Sequence, residues 1–426
     1  MGESAVRLAE LCSLPHVLDD ELACKLAETF VNTNGNARSL VARLKALPFV
    51  YPYEAERWHL AVSARTYFGE RLKQRNGTYL DLNRFLKEYL EHTRASMADS
   101  DSPEARETDW RIAYHLAPID APAAISRLHD MEELAVARHS LADMKSLVDI
   151  RREQESCFSE YQLDFLYFEG HYYYAAGDLP SAEKAFASVW DNAAPSRMKA
   201  IAGHLLGVIW MRLARPRASI SNAVDVFRQS LEILGSLRDR HGEAMVLNSL
   251  GGALMRLGGR DNLTEAIEAF RRSLELGETL GYDRHVAMAL NSLGGALVRL
   301  GGRDNLTEAT EAFRRSLELG ETLGYDHHVA MVLYSLGGAL IALGDSHALQ
   351  EAQSLLERSM KINKRLDDRR GQAIVLDRLS QLAEARADLP LASRYAGEAL
   401  AVWEALRYTR KAADARRRLQ RLSQYE

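Results

Sequence analysis

One stretch of this chain is written twice. Residues 251–283 read GGALMRLGGRDNLTEAIEAFRRSLELGETLGYD, and residues 294–326 repeat them with changes only at Met255/Val298 and Ile267/Thr310. Two copies so alike must fold alike, so the 43-residue period of the sequence is also a structural period. A unit of this size is one supersecondary motif, which buries its apolar face only by stacking on a neighbour of the same kind. Two helices fit each unit, the first over Glu243–Leu257 and the second over Leu263–Leu280. Asn262 with Glu265 predicts a capping pair at the start of the second helix, and Gly281 predicts its stop. GGRDN (258–262 and 301–305) then falls between two helices, as a turn and not a phosphate-binding loop.

Weaker copies extend the array in both directions. The shared frame is a small residue in the first helix, followed by Ala-x-x-x-Phe in the second. It appears as Gly170 with Ala182 and Phe186, Gly207 with Ala223 and Phe227, Gly251 with Ala266 and Phe270, and Gly294 with Ala309 and Phe313. It continues as Gly337 with Ala352 and Leu356, and fades to Ser380 with Ala392 and Ala396. Small residues let two helices of a hairpin approach, and the aromatic ring fills the layer between hairpins.

These residues resemble the tetratricopeptide repeat (TPR), whose pattern is Leu-Gly-x-x-Tyr followed by Ala-x-x-x-Phe. The segment EGHYYYAAGDLPSAEKAF (169–186) matches through Gly170, Tyr173, Ala182 and Phe186. The unit is longer than the usual repeat, as in kinesin light chain. The resemblance implies an all-α protein, a right-handed TPR superhelical solenoid preceded by a small winged-helix-like domain. The expected division is 1–75 winged-helix-like, 76–160 helical linker or degenerate repeats, 161–406 about six TPR units, and 407–426 a C-terminal cap helix.

The N-terminal part has another character. Asp19–Phe30 and Ala37–Leu47 read as helices, residues 49–53 and 57–61 as a small hairpin, and Ser63–Lys73 as a helix. The string LVARLKALPFVYPYEAERWHLAVSAR (40–65) is similar to the winged-helix segment of STAND-type signalling NTPases, with Arg65 as the basic residue after the wing. Residues 109–131 resemble the helical stretch that joins that segment to C-terminal repeats in the same proteins. Ala61 stands where that family often carries a nucleotide-sensing histidine. No Gly-x-x-x-x-Gly-Lys-Ser/Thr occurs anywhere, so a Walker A cradle is missing. The chain therefore reads as the sensor half of such a system, encoded separately or part of a longer parent, and not as the NTPase.

Charge narrows the partners. With 54 basic against 59 acidic residues the net charge is −5, which gives no general electrostatic hold on nucleic acid or anionic membrane. On the winged helix, Arg38, Arg43 and Lys45 face a wing that carries Glu54 and Glu56 next to Arg57. That balance favours protein packing over DNA. Three widely spaced cysteines, Cys12, Cys24 and Cys157, make no disulfide framework or zinc ribbon. No His-Glu-x-x-His occurs, and His327-His328 are adjacent and do not converge on a metal from a helix. The expectation is a non-enzymatic chain with no catalytic residues, cofactor or metal. No run of eighteen apolar residues and no basic-then-apolar leader occur, which places the expected chain in the cytoplasm.

The candidate site is then a face of the repeats. Residues four apart share one face of a helix, so Asn248, Gly252 and Arg256 form a stripe in the first helix of one unit. The next units give Asn291, Gly295 and Arg299, then Tyr334, Gly338 and Ala342; the preceding unit gives His204, Val208 and Arg212. On the concave face, the asparagines would pair with a partner's backbone, the arginines would hold carboxylates and the glycines would leave a bare floor. A competing reading gives Arg256 and Arg299 to the helix dipole and the glycines to packing. The function this predicts is a protein- or peptide-binding scaffold or sensor of a bacterial-type signalling or defence system, with self-association as a further property. The alternative is a transcriptional regulator with a DNA-binding winged helix and a peptide-sensing array.

Overall fold

The computed structural model describes residues 2–31, 33, 35–53, 56–213 and 217–423. Glu54 of the wing and residues 424–426 of the predicted cap lie outside the described residues. Contacts divide the chain into two units, Met1–Ala182 and Glu183–Glu426.

The first unit opens with α1 (Glu3–Cys12), α2 (Asp20–Phe30) and α3 (Ala37–Lys45), then β1 (Val50–Pro52), β2 (Trp58–Leu60) and α4 (Val62–Lys73). The strands pair antiparallel with Tyr51 opposite His59, and Leu18 adds a bridge to Trp58. Asp19 caps α2 by accepting the Leu22 amide at 2.7 Å. Leu8, Leu26, Leu44, Trp58 and Leu72 fill one core beneath these elements, so the winged-helix-like order predicted from sequence is present. Helix α1 is an addition to that prediction, since its residues carry neither a cap nor a motif. Then α5 (Asn76–Ala95), α6 (Pro103–Leu116), α7 (Ala121–Ala137), α8 (Leu141–Glu153) and α9 (Gln162–Ala175) follow as a helical arm.

Helix α10 (Leu179–Asn192) carries the chain across the unit division, so the Gly170 frame is split inside its second helix, between Ala182 and Phe186. Five helical hairpins come next: α11 (Arg197–Arg212) with α12 (Arg217–Leu237), α13 (Arg240–Leu257) with α14 (Arg260–Leu280), and α15 (Asp283–Leu300) with α16 (Arg303–Thr322). The last two are α17 (Asp326–Leu343) with α18 (Ser346–Arg365) and α19 (Arg369–Ala385) with α20 (Leu389–Ala405), and α21 (Thr409–Leu422) closes the array. The fold is thus an all-α, TPR-like solenoid.

The predicted frame is the lock of each hairpin. A Cβ placed on Gly207 would come within 2.5 Å of the Phe227 ring, on Gly251 within 2.6 Å of Phe270, and on Gly294 within 2.8 Å of Phe313. At Gly337 the corresponding approach to Leu356 is 3.0 Å. Where Ser380 replaces glycine, Ala396 replaces the ring and the Ser380 hydroxyl donates to the Ala392 carbonyl at 2.9 Å.

A second device joins three helices at once. Ser273 Oγ on α14 donates to the Ala244 carbonyl of α13 at 2.8 Å and lies 2.9 Å from His285 Nε2 on α15. Its only proton is committed to the carbonyl, so the imidazole must donate from Nε2. Ser316, Ala287 and His328 repeat the arrangement one unit on.

The turn between helices departs from the predicted capping pair. Gly258 and Gly259 are both left-handed (φ 69° and 90°), so the chain reverses at once and α14 begins at Arg260. Asn262 therefore lies inside the first turn, where its Nδ2 donates to the Gly258 carbonyl at 2.7 Å. Gly281 does end α14, in the left-handed conformation at φ 67°. Helix α17 is long and apolar enough to cross a membrane by composition, with mean hydropathy 1.3, but half of that stretch is buried in the repeat core.

Candidate functional site

The first helices of successive hairpins lie side by side, α11 against α13, α13 against α15, α15 against α17 and α17 against α19. Successive second helices are bridged by ion pairs: Arg228–Glu265 at 2.7 Å, Arg271–Glu308 at 2.7 Å and Arg314–Glu351 at 3.0 Å. The charged residues of EAIEAFRRSLELGE therefore make an exposed ladder, and the row of first helices carries the candidate stripe.

The stripe residues have different environments. His204 lies inside, 5% exposed, with Nε2 2.8 Å from Ser249 Oγ. Burial pushes its imidazole down to about 4. Arg212 is exposed at the end of α11. The arginines one and two units on bond to the preceding first helix: Arg256 Nη1 donates to the Met211 carbonyl, and Arg299 Nη1 to the Met255 carbonyl at 2.6 Å. Those carbonyls belong to the last turn of their helices, where no intrahelical amide remains to satisfy them. The helix-end reading of these two arginines thus has the geometry, carried across the joint between repeats. Tyr334 takes the asparagine position in α17, half-buried, and burial pushes its hydroxyl up.

Asn248 and Asn291 differ from the arginines, and His204 shares the difference at its enclosed, unpartnered Nδ1. Each asparagine is half-buried, and its side-chain carbonyl Oδ1 is enclosed without any hydrogen-bond partner. Leaving such an acceptor unsatisfied costs about 1–3 kcal/mol. Four residues on, a Cβ on Gly252 would meet nothing within 4 Å, and one on Gly295 only Met255 Cε at 3.8 Å. Three residues before each asparagine, on the same helix face, stand Met245 (36% exposed) and Met288 (41%). These methionines escaped the sequence reading, although their spacing from the asparagines marks them as part of one surface. Methionine is a flexible and polarizable surface that adapts to many apolar groups.

Gly338 differs. A Cβ there would lie 2.9 Å from both Cζ and Nε of Arg378, which reaches it from α19. Arg378 also escaped the sequence reading, because nothing nearby in sequence links it to a glycine 40 residues earlier.

The first unit holds a cavity of about 550 Å³ floored by Trp110, Leu134 and Leu147 and edged by Arg94, Arg106 and Arg138. Every one of these arginines has a carboxylate: Arg94 meets Asp109 at 3.0 Å, Arg106 meets Asp143 at 3.1 Å, and Arg138 pairs with Asp101. On the predicted reading helix, Lys45 is held by Asp20 at 2.8 Å, while Arg38 and Arg43 are exposed. Arg65 reaches Glu153 at 3.4 Å. Among the described residues no three His, Cys, Asp or Glu side chains converge as a metal site would require.

No protein-family model matches the sequence, and no curated protein matches it. Solved structures do. A Signal Transduction ATPase with Numerous Domains (STAND) protein with a tetratricopeptide repeat sensor, from Pyrococcus horikoshii, superposes over 99% of this chain at 14% identity with a TM-score of 0.56. The chain spans 60% of that protein's length. A Rap protein complexed with Competence and Sporulation Factor aligns over 84% of this chain and 99% of its own, at 14% identity and a TM-score of 0.44. A Podosopora anserina putative kinesin light chain with nearly identical TPR-like repeats aligns over 49% of this chain and 97% of its own, at 19% identity and 0.39. This chain has a TPR fold, and its architecture is that of the matched part of a STAND protein with a TPR sensor.

Proposed function

We propose that this chain is a scaffold or sensor whose first-helix row binds an extended segment of a protein partner. The supporting observation is the pair of enclosed, unpartnered Asn248 and Asn291 carbonyls, each beside a glycine that leaves its surface open. A partner's backbone N–H groups would satisfy both. Packed helices lie roughly 8–10 Å apart and an extended chain rises about 3.3 Å per residue. The two asparagines would therefore read backbone positions about three residues apart, with Met245 and Met288 receiving apolar side chains between them.

In this reading the partner is a protein or peptide and not nucleic acid, no cofactor takes part, and the setting is a cytoplasmic signalling or defence system. The repeats of the Pyrococcus protein are described as a sensor, which fits that role. The domain division 1–75, 76–160, 161–406 and 407–426 belongs to the same proposal. The test is selection of binders from a random dodecapeptide library, with affinities measured for wild type and for Asn248→Ala/Asn291→Ala. The expected result is about tenfold or greater weakening in a variant that keeps its Tm. Equal affinity in both proteins would sink the proposal.

A further inference from the structure

The space over the stripe glycine is open in α13 and nearly so in α15, and in α17 a guanidinium occupies it. Gly252 faces nothing within 4 Å and Gly295 only a methionine tip, whereas the Cζ and Nε of Arg378 sit 2.9 Å from where a Gly338 Cβ would be. The cation is therefore seated on the same face that carries Asn248 and Asn291, on the first helix next after that of Asn291.

Arg378 donates from Nη1 to the amide oxygen of Gln381 at 2.8 Å, and among the described residues no carboxylate lies within ion-pair distance of it. Its neighbour in sequence, Asp377, favours its charge without touching it, while Trp403 Nε1 donates to that carboxylate at 2.9 Å and Arg418 approaches it at 3.9 Å. Burial disfavours the charged form of Arg378. The cavity arginines of the first unit, by contrast, each have an acid. A guanidinium offers five donors in a planar fork, and a partly desolvated cation with no carboxylate in direct contact gains from one that reaches it.

We propose that Arg378, seated on Gly338 beside Tyr334, is an anion anchor that takes a carboxylate of the segment bound along Asn248 and Asn291. The partner is then an acidic peptide. This rests on the groove reading above. A side-chain carboxylate and a free C-terminus present the same two-oxygen group to the fork. One helix spacing of roughly 8–10 Å separates Asn291 on α15 from the Arg378 guanidinium where it rests on Gly338 of α17. The acid therefore falls about three residues from the residue that meets Asn291 in an extended chain.

The experiment uses the dodecapeptides selected by the full chain. The best binder is resynthesised in three forms: unchanged, with its Asp or Glu replaced by the amide, and with an amidated C-terminus. Affinities are read by fluorescence anisotropy for wild type, Arg378→Met and Asn248→Ala/Asn291→Ala. One neutralised form should lose about tenfold or more on wild type, and which form loses it tells side-chain acid from C-terminus. Arg378→Met should weaken the unchanged peptide equally and leave that neutralised form unaffected. If all three forms bind wild type alike, the anchor is wrong while the groove stands, and this outcome needs no variant to fold. If the asparagine double variant binds every peptide as wild type does, or wild type retains none, the groove reading falls and takes the anchor with it.

Discussion

The twin repeats, α13 to α16, and the repeats that follow, α17 to α20, solve the same packing problem with different residues. In the twins, the second helix ends on glycine in the left-handed region, Gly281 and Gly324. In the next two, that position is Asp367 (φ 51°) and Arg407 (φ 59°). The twins lock each hairpin with glycine against a phenylalanine ring, and the later ones use Leu356 and then Ser380 with Ala396. The twins leave the stripe glycine open, and α17 seats a cation on it. Backbone geometry is shared, so the differences show which residues the repeat itself demands and which are spent on the surface.

Adjacent glycines give the sharpest contrast. Gly251→Ala and Gly294→Ala should each cost about 1–3 kcal/mol through overpacking against the ring, read as a fall in Tm. Gly337→Ala should cost less, since Leu356 yields more readily than a ring. Equal losses at all three would break the distinction between the hairpin locks.

Acid should separate the buried histidines from the rest. Burial holds the folded His204 at about 4, below the roughly 6.5 of an unfolded chain. The unfolded state therefore binds more protons in between, and stability is lost as pH falls from about 6.5 to 4, at up to about 1.4 kcal/mol per unit. His204→Gln should flatten thermal unfolding across that window, and an unchanged pH slope would refute the assignment to His204.

Replacing the non-glycine stops Arg238, φ 56°, and Arg407 by glycine should stabilise each by about 1–2 kcal/mol. The proof is a higher Tm in both variants, and no gain at either would show that the turns are held by other contacts. Gly252→Ala should raise stability by about 1 kcal/mol, because its surroundings are open and alanine favours the helix. The same change should weaken peptide binding, and a tighter complex would contradict the bare floor. Smallest is the ion-pair ladder: Arg271→Ala should cost under about 1 kcal/mol, and less in high salt.

Much of this architecture is legible in sequence because duplication is a strict constraint. The near-identity of 251–283 and 294–326 fixes the period, and the Gly–Phe frame then locates the touching faces, which the structure bears out at Gly207, Gly251, Gly294 and Gly337. Side-chain use is harder to read. A period shows that Arg256 recurs, but not that its guanidinium turns back to a carbonyl on α11. His204 looks like a stripe residue by spacing, yet its ring is buried and reaches Ser249 on the next first helix. Helix α14 starts before its expected cap because two successive left-handed glycines shorten the turn. Arg378 depends on a contact between neighbouring helices, which no local pattern encodes.

The joints between units have a consequence for how such a chain can change over generations. Arg256 to Met211 and Arg299 to Met255 are one bond made twice, as are the Arg271–Glu308 and Arg314–Glu351 pairs. Unequal exchange between the twin segments of the gene would insert or delete a whole hairpin and create only joints of a kind already present. The added hairpin would bring one more asparagine, while the seat of Arg378 would stay at the far end. Copy number would then set the length of segment the row can measure, a ruler lengthened one mark at a time.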